Sequence, residues 1–232
     1  MLIEIKKISK VYGEDENTRV TAIQDIDAII SVGDFIAVVG PSGSGKTTFL
    51  NIVAGILLPS AGEVIHHKSK MRMSAEGPSP SERTHYRLHN LGFIFQDYQL
   101  LPILRASENV QLPLQLQGLP QKEIVERSEW ALEQVGIHHL KNRFPRELSG
   151  GQQQRISIAR AVAGRPSLIL ADEPTANLDS KTAQDIINLF KKLNQEQKLT
   201  FVFSTHDQRL IDQVKVVWRM QDGVLSCQTI AS

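Results

Sequence analysis

Three glycines alternate with small residues and end on a cation and a hydroxyl in Gly40-Pro41-Ser42-Gly43-Ser44-Gly45-Lys46-Thr47. Such a stretch can cradle phosphate. Glycine permits the backbone angles that turn successive N–H groups inward, and without a Cβ the main chain can approach a phosphate closely. Lys46 is expected to reach the β- and γ-phosphates and the Thr47 hydroxyl to hold Mg²⁺, with Thr48 completing the phosphate-facing set. Far along the chain, Asp172-Glu173 offers two carboxylates with separable employment. Asp172 would bind Mg²⁺ directly or through water, and Glu173 would act as the general base that polarises a water attacking the γ-phosphate. Carboxylates at strand ends also commonly cap the following turn, an alternative whose weight the upstream phosphate loop reduces. A second anion cradle is spelled by Ser149-Gly150-Gly151-Gln152, where a capping serine and two glycine amides open a helical run through Arg155 to Ala163.

These groups need strands and helices to aim them. Phe35 to Val39 reads as a buried parallel strand entering the phosphate loop, and Thr48 to Ala54 as the helix leaving it, whose dipole adds positive potential at the loop. Leu168 to Ala171 is a second buried strand delivering Asp172. Leu199 to Phe203 is a third, ending at Ser204-Thr205-His206. Between those two, Ala183, Ile186, Ile187 and Phe190 recur at helical spacing. Leu2 to Ile8, Ala28 to Val32 and Leu91 to Phe95 complete the predicted strands. The block from about 106 to 165 reads as helical, with Pro120 in a first turn and an apolar face at Val125, Leu132 and Val135. From His66 to Glu82 the pattern dissolves into Lys, Ser, Gly and Pro, which predicts an exposed excursion. The pairs His66-His67 and His138-His139 carry no metal-ligand pattern, since strand neighbours point to opposite faces. Strands alternating with helices predict a parallel sheet with ligands at its carboxyl ends.

At 232 residues the chain can bury a core and is expected to make one α/β domain. Its 26 Lys+Arg against 25 Asp+Glu leave a formal charge of +1, which argues against a generally basic nucleic-acid binder. The one cysteine, Cys227, cannot form an internal disulfide and points to a reducing compartment. No apolar run approaches the roughly eighteen residues of a spanning helix, and the start Met1-Leu2-Ile3-Glu4-Ile5 has no signal-peptide pattern.

Leu148-Ser149-Gly150-Gly151-Gln152 resembles the signature motif of ATP-binding cassette (ABC) ATPases, and the likeness extends through nearly the whole chain. Tyr12 matches the early adenine-stacking aromatic, Gln96 the glutamine that touches Mg²⁺ and moves on ATP binding, and His206 the switch histidine that contacts the γ-phosphate. Asp179, in Asn177-Leu178-Asp179, matches the aspartate that crosses the dimer seam. The resemblance implies an α/β phosphate-loop NTPase of ABC type: a mostly parallel core sheet, an antiparallel β subdomain and an inserted α-helical subdomain. Residues 1–96 and 166–232 would form the nucleotide-binding core and about 97–165 the helical part. It implies ATP and Mg²⁺ as ligands, and catalytic roles for Lys46, Gln96, Glu173 and His206. It further implies a head-to-tail dimer with a second copy, each nucleotide lying between one protomer's phosphate loop and the other's Ser149-Gly150-Gly151-Gln152.

Asp97-Tyr98-Gln99-Leu100-Leu101-Pro102, followed by Glu108-Asn109-Val110-Gln111-Leu112-Pro113-Leu114, resembles the branch of macrolide-exporter and lipoprotein-releasing ATPases, the MacB/LolD type, with the cell-division ATPase FtsE nearby. The 66–82 stretch departs from that branch, since it lacks the short Asn-Gly-type hairpin expected there. The resemblance implies a separate transmembrane permease subunit as partner and a position on the cytoplasmic face of the cell membrane. Leu100, Leu101 and Ile103 are either the groove for the permease's cytoplasmic helix or packing within the helical part. A soluble ABC ATPase of an assembly or repair machine is the alternative. A kinase or GTPase on the same loop is disfavoured because no Asn-Lys-x-Asp motif occurs.

Overall fold

Phe35-Ile36-Ala37-Val38-Val39 has no polar face, the composition of a parallel strand covered on both sides. The computed structural model, which describes residues 1–13, 15 and 18–229, buries Phe35 to Val38 accordingly. Two compact units divide the chain, one made of Met1–Arg87 with the stretch from Thr200 onward, the other of Leu88–Leu199. In chain order the first unit supplies β1 (Ile3–Tyr12), β2 (Val20–Ile30), β3 (Phe35–Val39), α1 (Lys46–Val53), β4 (Ala61–His66), β5 (Met71–Ser74) and most of α2 (Pro80–Asn90), whose last residues, from Leu88, belong to the second. The second contributes β6 (Leu91–Ile94), α3 (Ala106–Leu116), α4 (Gln121–Gln134), α5 (Gly150–Ala163), β7 (Leu168–Asp172) and α6 (Ser180–Gln197). The chain then returns to the first with β8 (Thr200–Ser204), α7 (Gln208–Ile211), β9 (Val216–Gln221) and β10 (Val224–Thr229).

In the first unit β3 runs parallel to both β8 and β9, so that Val38 is level with Ser204 on one side and Trp218 on the other. β10 closes the edge antiparallel to β9. A separate antiparallel sheet has the order β2-β1-β4-β5. Its inward face carries Ile3, Ile5, Ile8, Ile23, Ile26 and Val64, all at most 2% exposed, each worth ~2 kcal/mol in transfer free energy. The Gln24 N–H donates to the Gly223 carbonyl at 2.8 Å, joining β2 to the β9–β10 turn.

In the second unit β6 lies parallel to β7, with Ile94 level with Ala171. Val110 and Leu114 of α3, Leu132 of α4 and Ile156 and Val162 of α5 are buried where the three helices pack together. Buried Asn109 fixes the loop before α3: its Oδ1 accepts from Leu101 N, and its Nδ2 is within reach of the Leu101, Leu104 and Arg105 carbonyls.

Several expectations need correction. The stretch 66–82 is largely exposed, as expected, but it is ordered rather than irregular. It contains β5, whose Met73 is fully buried, and the start of α2, whose Tyr86 packs edge-on against His66. The hairpin is present after all, turning through residues 67–70 with Lys70 at φ +57° where Asn-Gly was looked for. Pro80 opens α2, behind a capping box in which the Glu82 carboxylate accepts from Ser79 N and the Ser79 hydroxyl from Glu82 N. β2 begins at Val20, not Ala28, because Asp25 at φ +49° and register shifts hide its alternation. On α4 the buried position is Ile124, while Val125 is exposed, since the inward stripe continues through Ser128, Ala131 and Leu132.

Candidate functional site

The phosphate loop leaves β3 at Val39 and enters α1 at Lys46. Gly45 caps α1 at φ +102°, and a Cβ there would stand 2.5 Å from the Ala22 carbonyl, so only glycine serves. The Lys46 ammonium donates to the Gly40 and Pro41 carbonyls at 2.8 and 3.0 Å and so lies across the loop. Ser44 Oγ is buried without a hydrogen-bond partner among the described residues, an acceptor-seeking hydroxyl inside the cradle. β8 ends level with β3, and Thr205 N donates to Val38 O at 3.1 Å. That places His206 beside the loop entrance, where it lines a cavity of about 470 Å³ together with Gly40, Pro41, Asp212 and Arg219. Tyr12 ends β1 with 41% of its surface exposed, opposite Val20 of β2, two residues from the Ala22 that abuts Gly45. The first unit thus brings Tyr12, residues 40–48 and His206 to one region.

In the second unit the register of β6 with β7 carries Gln96 and the Asp172-Glu173 pair off the same carboxyl edge. Glu173 has φ +44°, a left-handed conformation that is strained for a side-chain-bearing residue and tends to mark functional positions. The turn is supported by Ala176 N, which donates to Glu173 O at 3.2 Å, and by buried Gln154, which donates to the next carbonyl, Pro174 O, at 2.7 Å. Asn177 Nδ2 meets Gln96 O and Asp97 Oδ1 at 3.2 and 3.1 Å, so the Gln96 loop and the turn after Glu173 are fastened together. Gln154 and Asn177 escaped sequence reasoning as positioning groups, because a helical glutamine and a loop asparagine read as surface.

Ser149 caps α5 through a reciprocal box: its Oγ accepts from Gln152 N at 3.4 Å, and Gln152 Oε1 accepts from Ser149 N at 2.9 Å. The first turn of α5 carries no acidic side chain, and Ser149 is exposed, so the positive helix end faces outward. Asp179 caps α6, accepting from Lys181 N, Thr182 N and Thr182 Oγ1 at 3.1, 3.0 and 2.6 Å. The Thr182 hydroxyl foremost, then the backbone N–H groups, hold its carboxyl below the usual range. The two helix starts are neighbours, since a Cβ at Gly151 would fall 2.3 Å from Thr182 Cγ2. Leu100 is half-buried, while Leu101 and Ile103 are 42% and 80% exposed.

His66 and His67 point to opposite faces as expected, His66 inward to Tyr86 and His67 outward to Glu4. Among the described residues no helix is long and apolar enough to cross a membrane.

Comparison with known proteins adds a second line of observation. The sequence pattern of the ABC transporter family matches residues 23–176. The lipoprotein-releasing system ATP-binding protein LolD of Idiomarina loihiensis is 39% identical over 225 residues, covering 97% of this chain and 96% of that protein. The ABC transporter ATP-binding protein YtrE of Bacillus subtilis is 40% identical over 206 residues, 89% and 87% of the two chains. Among solved structures, the dimeric post-hydrolysis state of the ATP-binding cassette MJ0796 with ADP and Pi superposes with a TM-score of 0.88 at 36% identity, over 100% of both chains.

Proposed function

Because the chain belongs to the ABC transporter family, we propose that it is the ATPase of a LolD-like transporter, two copies closing head to tail on two ATP to drive a separate membrane subunit. It binds and hydrolyses ATP for transport. The 1–232 chain then forms one ABC ATPase domain whose core and helical parts share the labour. The soluble assembly-machine alternative has no observation in its favour.

The observation that carries the head-to-tail reading is the pair of anion cradles, Gly40–Thr47 before α1 and Ser149–Gly151 before α5. One γ-phosphate needs one such cradle with its lysine. A second, exposed and free of acidic neighbours in its first turn, suits the nucleotide of another copy. Tyr12 stacks on the adenine. The backbone of residues 40–48, through its N–H groups other than at Pro41, and the Lys46 ammonium hold the phosphates, and His206 reaches the γ-phosphate. Thr47 hydroxyl, Asp172 carboxylate and Gln96 amide oxygen are hard donors that fit Mg²⁺, as the buried lone Ser44 hydroxyl fits a phosphate oxygen. Bound there, the ion neutralises charge on the β- and γ-phosphates. Glu173 orients the attacking water and takes its proton. Asp179 sits at the seam, capping α6. The membrane subunit's cytoplasmic helix seats by exposed Leu101 and Ile103 and holds the ATPase at the cytoplasmic face of the membrane.

Glu173→Gln tests this. The substitution removes a charge but little shape, so ATP affinity stays close to wild type while phosphate release falls about 10²- to 10⁴-fold, the range for a positioned base. Because hydrolysis no longer separates the protomers, light scattering after gel filtration should record a monomer without nucleotide and a dimer with Mg-ATP. Near-normal turnover would remove Glu173 from its role, and a mass indifferent to ATP would count against the sandwich.

A further inference from the structure

We propose that Arg160 is a positioning residue for ATP hydrolysis, a clamp that holds the backbone just after Gln96 in a left-handed turn and thereby fixes where Gln96 points. The proposal rests on the reading of Gln96 as a group at the Mg-ATP site. Arg160 lies on α5, and its guanidinium reaches across to two adjacent carbonyls: Nη1 donates to Gln99 O at 2.5 Å and Nη2 to Tyr98 O at 2.8 Å. Tyr98 and Gln99 have φ of +59° and +50°, consecutive left-handed positions without a glycine. Either alone is disfavoured by the approach of Cβ to the backbone, and two in succession need external support.

The turn they make begins at Gln96. Tyr98 N donates to Phe95 O at 3.2 Å, and Gln99 N to Asp97 O at 2.5 Å, so the chain doubles back within four residues. From the other side Asn177 holds Gln96 O and Asp97 Oδ1. The Tyr98 ring extends toward the start of α5, where a Cβ on Gly150 would lie 2.9 Å from its hydroxyl. Arginine suits the clamp because its planar fork presents several N–H groups at fixed spacing and can bind neighbouring carbonyls at once, which a lysine ammonium does as a single point. Burial also pushes the guanidinium pKa down, in keeping with a cation partly removed from water, where its hydrogen bonds are stronger. Without those two bonds Tyr98 and Gln99 can relax to right-handed or extended backbone, and the direction of Gln96 is lost.

The test is steady-state phosphate release by the full chain with Mg-ATP, giving kcat and KM for five variants, with thermal melting as the check on folding. Arg160→Met should lower kcat about 10-fold, the order expected for losing charge-assisted hydrogen bonds, with KM within about twofold. Arg160→Lys should fall between it and wild type. The discriminating variant adds Gln99→Gly to Arg160→Met: glycine adopts φ +50° without cost, so kcat should recover at least about threefold. Gln99→Gly alone should stay within about twofold of wild type. A purely structural role for Arg160 in α5 predicts no recovery from a loop glycine, and that result, or an unchanged kcat in Arg160→Met, overturns the clamp. If Arg160→Met does not fold, Arg160→Lys with and without Gln99→Gly carries the same comparison. Gln96→Ala separates the two layers. A normal kcat there overturns the underlying reading of Gln96, whereas a reduced kcat with no effect of Arg160→Met overturns the clamp by itself.

Discussion

The Asp179 carboxylate accepts three hydrogen bonds from its own helix, two from N–H groups and one from the Thr182 hydroxyl, and is also the residue proposed to face a second copy. Asparagine and alanine separate those duties. Asn retains an acceptor for the two N–H groups and is as good a cap as Asp, so Asp179→Asn should melt near wild type, while Asp179→Ala should melt several degrees lower. ATPase activity lowered in Asp179→Asn at unchanged melting temperature would report the charge at the seam; melting that falls equally in both would contradict the cap. His66 makes a different residue-scale prediction. Burial against Tyr86 lowers its pKa from 6.5 to about 3, so the folded protein holds it neutral while the unfolded chain protonates it near 6.5. Stability is therefore full above about pH 7 and declines as pH falls through the window between the two values. At pH 5 the loss is about 2 kcal/mol relative to pH 8. Urea denaturation at both pH values checks it, and His66→Gln should shrink the difference; an equal difference in that variant would assign the effect elsewhere.

At the scale of elements, the motif-bearing segments were legible because their signals are local. β3, α1, β7 and α6 each show their period within a single window, and the cradles at 40–47 and 149–152 are contiguous in sequence. The stretch 66–82 was not legible, because its order comes from pairing His66 with Tyr86 and from burying Met73, contacts between residues far apart in the chain. The same reason hid Arg160, Gln154 and Asn177, whose long-range bonds to carbonyls hold the loops on which the legible motifs sit. The loop before α3 gives an element-scale test. Asn109 organises its backbone from within, so Leu101 and Ile103 are held outward rather than used as core. Replacing both with Asp should leave melting within a few degrees of wild type and sharply reduce co-purification with the membrane subunit, because an apolar contact would have to desolvate two charges. Unchanged recovery of the complex would place the docking surface elsewhere.

For the whole molecule, the account turns on whether each ATP site is shared between two copies. The mixing of two inactive variants decides it. Lys46→Ala removes the cation from the phosphate loop, and Ser149→Arg blocks the exposed start of α5, so each homodimer should be nearly inactive. In a heterodimer built head to tail, one site carries both lesions and the other carries neither. Hydrolysis should therefore return on mixing, to about half the wild-type rate per heterodimer if the sites fire independently, and one ATP per heterodimer should be trapped even if they must alternate. With heterodimers shown to form, an absence of both hydrolysis and trapped ATP would contradict the shared site.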